Sequence, residues 1–326
     1  MKLPHRRQFL HLAAGAAALP AMSRIARAQV YPSRPVRLIV GLAAGSSLDI
    51  LARLMGHSLS ERLGQPFVIE NRPGAGTNVA TEAVVRSAPD GYTLLAVSPA
   101  NAINATLYEK LNFNFIGDIA PVASIVREPN VMVVNPSVPA TSVPEFISYA
   151  KTNPGKLSMA SAGNGTASHM AGELFKMMAG VTMVHVPYRG GGPALTDLIG
   201  GQVQAMFPGT IASVEYIKTG KLRALGVTTA TRSEALPHLP TVGDFVPGYE
   251  ASLLDGIGAP KNTPAEIIGK LNMEIDAALA DSKMKARLAE LGGTPSANSP
   301  VAFTKFVADD VAKWAKVIKA ANIKVE

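Results

Sequence analysis

The chain has no cysteine. That absence excludes thiol nucleophiles, zinc–thiolate centres, iron–sulfur clusters and disulfides. A chain of 326 residues is long enough to bury a core without covalent staples. Long apolar runs are also missing, and no segment reaches the roughly 20 residues that a membrane span requires. Charge is sparse, at 17% against 47% apolar residues, the balance of a globular chain. No G-x-x-x-x-G-K-[ST] loop and no G-x-S-x-G elbow occur, so a P-loop nucleotide site and an α/β-hydrolase nucleophile lack their signatures.

The first segment, MKLPHRRQFLHLAAGAAALPAMSRIARA, has a basic start, a short apolar stretch from Phe9 to Met22, and Ala26-Arg27-Ala28 at its end. It reads as a signal peptide over residues 1–28, with Arg6-Arg7 resembling a twin-arginine export motif. A periplasmic location is the expectation. Residues 1–28 hold five basic side chains and no acidic ones, so their removal takes the formal charge from +7 to +2. Without a basic face, a nucleic-acid partner is not expected.

What is present is alternation. VRLIVGLA (36–43), FVIEN (67–71) and YTLLAVS (92–98) read as strands, the first followed by the helix-period stretch SLDILARLMGHSLSERLG and the second by a Gly-rich turn and NVATEAVVRSA. A second series starts at VMVVN (131–135) and runs through KLSMASA, VTMVHVPY, VQAMF and LRALGVT. The C-terminal part reads as helical, with a capping box proposed at Thr263-Pro264-Ala265-Glu266. Phe303, Phe306, Val307, Val311, Trp314, Val317 and Ile318 fall on one helix face as core. The reading is an α/β chain of two lobes, each an α/β sheet flanked by helices. Lobe 1 comprises residues 29–128 and 253–326, and lobe 2 residues 129–252. REPNVMVVNP (127–136) and YEASLLDGIGAP (249–260) are the crossovers. A cleft between two lobes is the default binding site.

Two loops stand out. GLAAGSSLD (41–49) and SAGNGTASH (161–169) each leave a strand, carry small residues and open a helix. First-turn N–H groups and the helix dipole make such loops anion cradles. Three or four charge-assisted hydrogen bonds of about 1.5–3 kcal/mol each support binding near −8 kcal/mol, roughly micromolar, after ordering costs. From Gly163 the pattern is G-x-G-x-x-S, lacking the third glycine of a dinucleotide loop. Ser46, Ser47, Asp49 and His169 contain the residue types of a hydrolase triad, but no spacing brings them together. Asp49 reads equally as a helix cap. The four histidines beyond residue 28 (His57, His169, His185 and His238) show no metal-ligand spacing. No metal or cofactor is expected.

At this point the residues resemble a family. YPSRPVRLIV (31–40), LSERLGQPFVIENRPGAGTN (59–78), APDGYTLL (88–95), NPGKLSMASAGNGTASHMAGELF (153–175) and VHVPYRGGGPALTDLIGGQV (184–203) are similar to the Bug periplasmic solute receptors. These are the binding components of tripartite tricarboxylate transporters. The resemblance implies a two-lobe Venus flytrap (periplasmic-binding-protein) fold that grips a ligand carboxylate through main-chain groups and ordered waters. It implies a membrane permease as partner and a monomer without enzymatic activity. The implied ligand-binding set begins with Leu42, Ala43, Ala44, Gly45, Ser46, Ser47 and Asp49 on the first loop. The 161–169 loop adds Ser161, Ala162, Gly163, Asn164, Gly165, Thr166 and His169. Thr77, Asn78, Ser98, Asn101, Tyr188, Gly209, Thr210 and Asp255 complete it. The chain departs from the family where Ser46-Ser47 replace a glycine pair, where Pro208 replaces an aspartate, and where Leu254-Asp255 replace an aromatic pair. A sensory receptor for a membrane signalling partner, or an exported hydrolase, are the alternative functions.

Overall fold

The computed structural model describes residues 31–320 and 323–324. The signal peptide expected over residues 1–28 lies outside them. From Arg34 onward the chain is one unit built on two sheets. The first series runs β1 (Val36–Val40), α1 (Ser47–Leu63), β2 (Phe67–Asn71), α2 (Asn78–Val85), β3 (Thr93–Val97), α3 (Pro99–Leu107), the short α4 (Phe115–Asp118) and β4 (Ile119–Pro129). The second runs β5 (Val131–Val134), α5 (Val143–Thr152), β6 (Ser158–Ser161), α6 (Ala167–Ala179), β7 (Val184–Pro187), α7 (Gly191–Ile199), β8 (Ala205–Met206), α8 (Thr210–Lys218) and β9 (Arg223–Val227). The chain then returns through β10 (Ser252–Pro260), α9 (Ala265–Ala280), α10 (Ser282–Glu290), β11 (Thr294–Asn298) and α11 (Pro300–Ala320).

The strands sort into a six-stranded sheet, β11-β4-β10-β3-β1-β2, and a five-stranded one, β7-β6-β8-β5-β9. All strands of the second sheet lie between residues 131 and 227, and those of the first lie on either side. The chain passes from the first sheet to the second through a single residue, Asn130, between β4 and β5, and returns between β9 and β10. Parallel pairing holds where the sequence alternates strand and helix: β1 with β2 and β3, and β6 with β7 and β8. Strands next to the crossovers are antiparallel, with β10 against both β3 and β4, and β5 against β8 and β9. Both sheets are therefore mixed rather than wholly parallel.

Local chemistry explains the element ends. Ser46 caps α1, its Oγ accepting from Asp49 N at 3.3 Å, and Gly64 closes that helix in the left-handed region at φ 69°. The capping box expected at Thr263 does not form. Pro264 is extended at ψ 136° and precedes α9, and Thr263 Oγ1 instead donates to Pro260 O at 2.7 Å. β4 is hidden in the sequence because Pro121 interrupts it; that proline sits where the ladder shifts register between Ile257 and Gly258. β11, with its proline and small polar residues, is an edge strand of the expected helical region.

The second sheet's core centres on Phe175. Its ring packs against Phe146 at 6.2 Å, Phe207 at 5.4 Å and, edge-on, Tyr249 at 6.1 Å. The first sheet's core holds Ile39, Leu95, Val97 and Phe303. A third cluster joins the halves: Trp314 and Ile318 of α11 pack with Ile103 and Leu107 of α3 and with Met170 of α6. Among the described residues no helix is long and apolar enough to cross a membrane. Trp314 is 1% exposed, so Trp314→Ala is expected to cost about 3–5 kcal/mol. Chemical denaturation followed by circular dichroism will measure the loss.

Candidate functional site

Five helix N-termini open on one cavity. Ser46, Ser47 and Leu48 start α1, and Ser98, Pro99 and Ala100 start α3. Thr166, Ala167 and Ser168 start α6, Gly191 starts α7, and Gly209 precedes α8. Each start presents first-turn N–H groups without intrahelical partners and adds the positive end of its dipole. The rest of the wall is apolar, with Leu42, Met206 and Leu253, apart from the Asn130 amide and the Asp255 carboxyl.

The two loops are stiffened by their own hydrogen bonds. Asp49 receives Gly45 N at 3.0 Å, Arg53 Nη2 at 2.9 Å and Asn71 Nδ2 at 2.9 Å. Burial alone would raise its pKa, but these bonds and the Arg53 charge outweigh burial and hold it below the usual carboxylate value. In the second loop, Ala162 N donates to Ser168 Oγ at 2.9 Å and Thr166 Oγ1 to Gly163 O at 2.7 Å. Gly165 N donates to His169 Nδ1 at 3.2 Å. His169 stacks on His185, centroids 4.1 Å apart, and Ser161 Oγ and His185 Nε2 are 2.6 Å apart. Burial depresses both imidazoles, to about 4 for His169 and about 3 for His185, so both are neutral at pH 7 and support the loop as uncharged groups.

Sequence spacing gave no sign that His169, Glu173 and His185 place ligand-type atoms within 4.8 Å of one another. They lie 16 residues apart in the chain and meet because β7 runs beside β6 at the foot of α6. Glu173 Oε1 already accepts from Lys176 Nζ at 2.8 Å, and each ring is engaged by the loop, so the cluster acts as a hydrogen-bonded prop.

Of the residues expected to bind ligand, Leu42, Ser46, Ser47, Ser98, Ala162, Thr166, Gly209 and Asp255 line the cavity. Thr77, Gly163, Asn164 and Tyr188 instead line a neighbouring cavity, with Leu42 and Ala162 shared between the two. Tyr188 Oη donates to Asp197 at 2.7 Å. Asn101 and Asn78 lie behind the wall, Asn101 donating to Thr81 Oγ1 at 2.8 Å and Asn78 Oδ1 accepting from Asn104. Ala43, Ala44 and Gly45 form the contact between halves: Ala43 N donates to Arg189 O at 3.1 Å, and Gly192 lies so close that a Cβ there would strike Ala44 O. Asp49, Ser161, Gly165 and His169 serve their loops, as described above. Thr210 Oγ1 donates to Glu128 Oε2 at 3.2 Å.

Glu128 was not singled out from sequence. It is fully buried; its Oε2 also accepts from Ile211 N at 2.8 Å. Its Oε1 has no partner among the described residues and faces the Ser47 hydroxyl. Burial pushes Glu128 up to about 7, against the hydrogen bonds that lower it. Asp255, on the same face of the sheet, is raised well above the carboxylate range by burial and by Glu128. A lone acid between Arg127 and Pro129 offers no pattern that sequence reading could use.

These titrations oppose one another. The unfolded chain releases the Glu128 proton near its ordinary 4.5, whereas the folded chain holds it to about 7. The folded state thus loses stability from Glu128 as pH rises between those values. The histidines work the other way: their contribution is full above about 6.5 and is lost as pH falls towards 4 and 3. Glu128→Gln is expected to gain on wild type in melting temperature as pH rises from 5 to 7, and to hold that gain at higher pH. Calorimetric scans of both proteins at matched pH check this.

The chain matches the model of the tripartite tricarboxylate transporter family receptor over residues 51–323. It is 35% identical to protein BugT of Bordetella pertussis over 302 residues, 92% of this chain and 93% of that protein. An R. palustris protein solved with adipate is 39% identical and superposes with a TM-score of 0.88, covering 90% of this chain and all but 1% of that one (99%). MatC from Rhodopseudomonas palustris with bound malate is 32% identical with a TM-score of 0.85, covering 88% of this chain and 100% of that one. With two α/β sheets, helix starts converging on one cavity and these relatives across nearly its whole length, the chain belongs to the tripartite tricarboxylate transporter receptor family, the periplasmic solute receptors that include the Bug proteins.

Proposed function

We propose that this receptor binds a small organic carboxylate in the cavity of the helix starts and delivers it to the membrane permease subunits of a tripartite transporter. The observation behind this reading is the convergence of the N-termini of α1, α3, α6 and α7 on one desolvated space. The solved relatives with adipate and malate support the same ligand class. In this reading the halves are residues 29–128 with 253–326 and residues 129–252, the segment 1–28 directs export to the periplasm, and the receptor works as a monomer. The ligand-contacting residues are those of the two loops, joined by Ser98, Gly209 and Asp255. No residue performs covalent chemistry. Ligand touches both halves together only when they are closed, so binding shifts the population towards that state.

A thermal-shift screen against about a hundred organic acids tests the reading. A carboxylate at a hundredfold excess over Kd adds roughly 2.7 kcal/mol, which appears as a raised melting temperature. A response to sugars or amines with none to carboxylates overturns it. Because Gly192 meets the Ala44 carbonyl across the contact between halves, Gly192→Ala is expected to hinder closure. Its affinity for the responding acid should fall at least tenfold, about 1.4 kcal/mol, with little change in the ligand-free melting temperature. Titration calorimetry separates the two effects.

A further inference from the structure

The cavity is not uniformly a donor site. Its floor, on β10 and the link between β4 and β5, holds more unpartnered acceptors than donors. Asp255 is 1% exposed and lines the cavity, and both its carboxyl oxygens lack a hydrogen-bond partner among the described residues. Asn130, also 1% exposed, spends its amide Nδ2 on Phe207 O at 2.7 Å. That bond fixes the orientation of the amide and leaves Oδ1, likewise unpartnered, as the free end in the lining. Glu128 stands diagonally across the ladder from Asp255, where Leu253 pairs with Glu128 and Asp255 with Val126. Arg127, the adjacent cation, lies on the opposite face over the Phe306 ring at 5.3 Å.

Buried acceptors without donors are costly, and even with its carboxyl protonated Asp255 sets one O–H against two unpartnered acceptors, its other oxygen and Asn130 Oδ1, with the Glu128 carboxyl beside it. A ligand that brings donors removes both penalties at once. A ligand that brings another carboxylate adds a third acidic group to the same desolvated space. We infer that Asp255, with Asn130, reads the group a ligand carries away from its carboxylate and selects a hydrogen-bond donor there, a hydroxyl or an ammonium, over a methyl or a second carboxylate. This rests on the carboxylate-receptor reading above. It assigns the helix starts to the ligand's anionic end and the strand floor to its donor end.

Titration calorimetry of the purified protein with linear carboxylates of three to six carbons, ending in methyl, hydroxyl, ammonium or carboxylate, tests the inference. At the best chain length the hydroxyl- or ammonium-ended acid should bind at least tenfold tighter than both the methyl- and the carboxylate-ended acids. Asp255→Asn keeps the shape but cannot ionise and fixes an NH2 donor in place of one carboxyl oxygen. It should erase the advantage of the ammonium-ended acid by at least tenfold and improve the carboxylate-ended one. A wild-type preference for the methyl or second carboxylate overturns the inference, as does an unchanged ranking in Asp255→Asn. Either result leaves the receptor reading standing, because an acid has still bound. If no acid of any length or terminus binds, the carboxylate reading falls and the inference falls with it. Should Asp255→Asn not fold, the wild-type ranking alone decides.

Discussion

Desolvation governs this molecule's centre. Helix starts from both halves and strands of both sheets line the space with mostly buried groups, and against such a wall dipoles and charges act at short range with reduced screening. The same burial sets the states of the groups around the space. It keeps His169 and His185 neutral and lifts the pKa values of Glu128 and Asp255. Asp49 alone escapes, because Arg53, Gly45 and Asn71 satisfy its carboxylate completely. One of the five helix starts is already occupied from within, since Glu128 takes the Ile211 N–H of α8. The others remain directed at whatever enters.

The halves meet through backbone as much as through side chains. Ala43 N bonds to Arg189 O, and Gly76 lies so close to Asn164 that a Cβ there would strike its carbonyl oxygen, while Asn104 Oδ1 crowds Gly165. Small residues in these loops permit that approach, because a side chain at Gly192 would lie against the Ala44 carbonyl. The first loop thus has two tasks, lining the cavity with Ser46 and Ser47 and touching the other half with Ala43 and Ala44. Substitutions in it are expected to couple affinity and closure.

Much of this was legible in the sequence. VRLIV and the helix behind Ser46 could be read because a continuous apolar run and a helical period are strong local signals, and both loops followed from their glycines and hydroxyls. The parts that were missed have physical reasons. β4 contains Pro121 at a register shift, β10 has two glycines, and β11 is a short polar edge, so none shows a strand's apolar pattern. Thr263 looked like a cap, but extended Pro264 stands between it and the helix. Glu128 and the paired histidines were invisible because their meaning lies in long-range neighbours: Ile211 for the first, and the β6–β7 ladder for the second. Sequence patterns report the period of an element, whereas burial of a single polar group is decided by what the topology places over it.

The single tryptophan of the chain sits in the cluster that joins α11 to α3 and α6. Any motion that parts α6 from α3 opens this cluster and lets water reach the indole. The molecule therefore contains one indole, placed at the seam between its halves and away from the cavity lining, whose emission colour, excited apart from the tyrosines, follows opening and closing without a label.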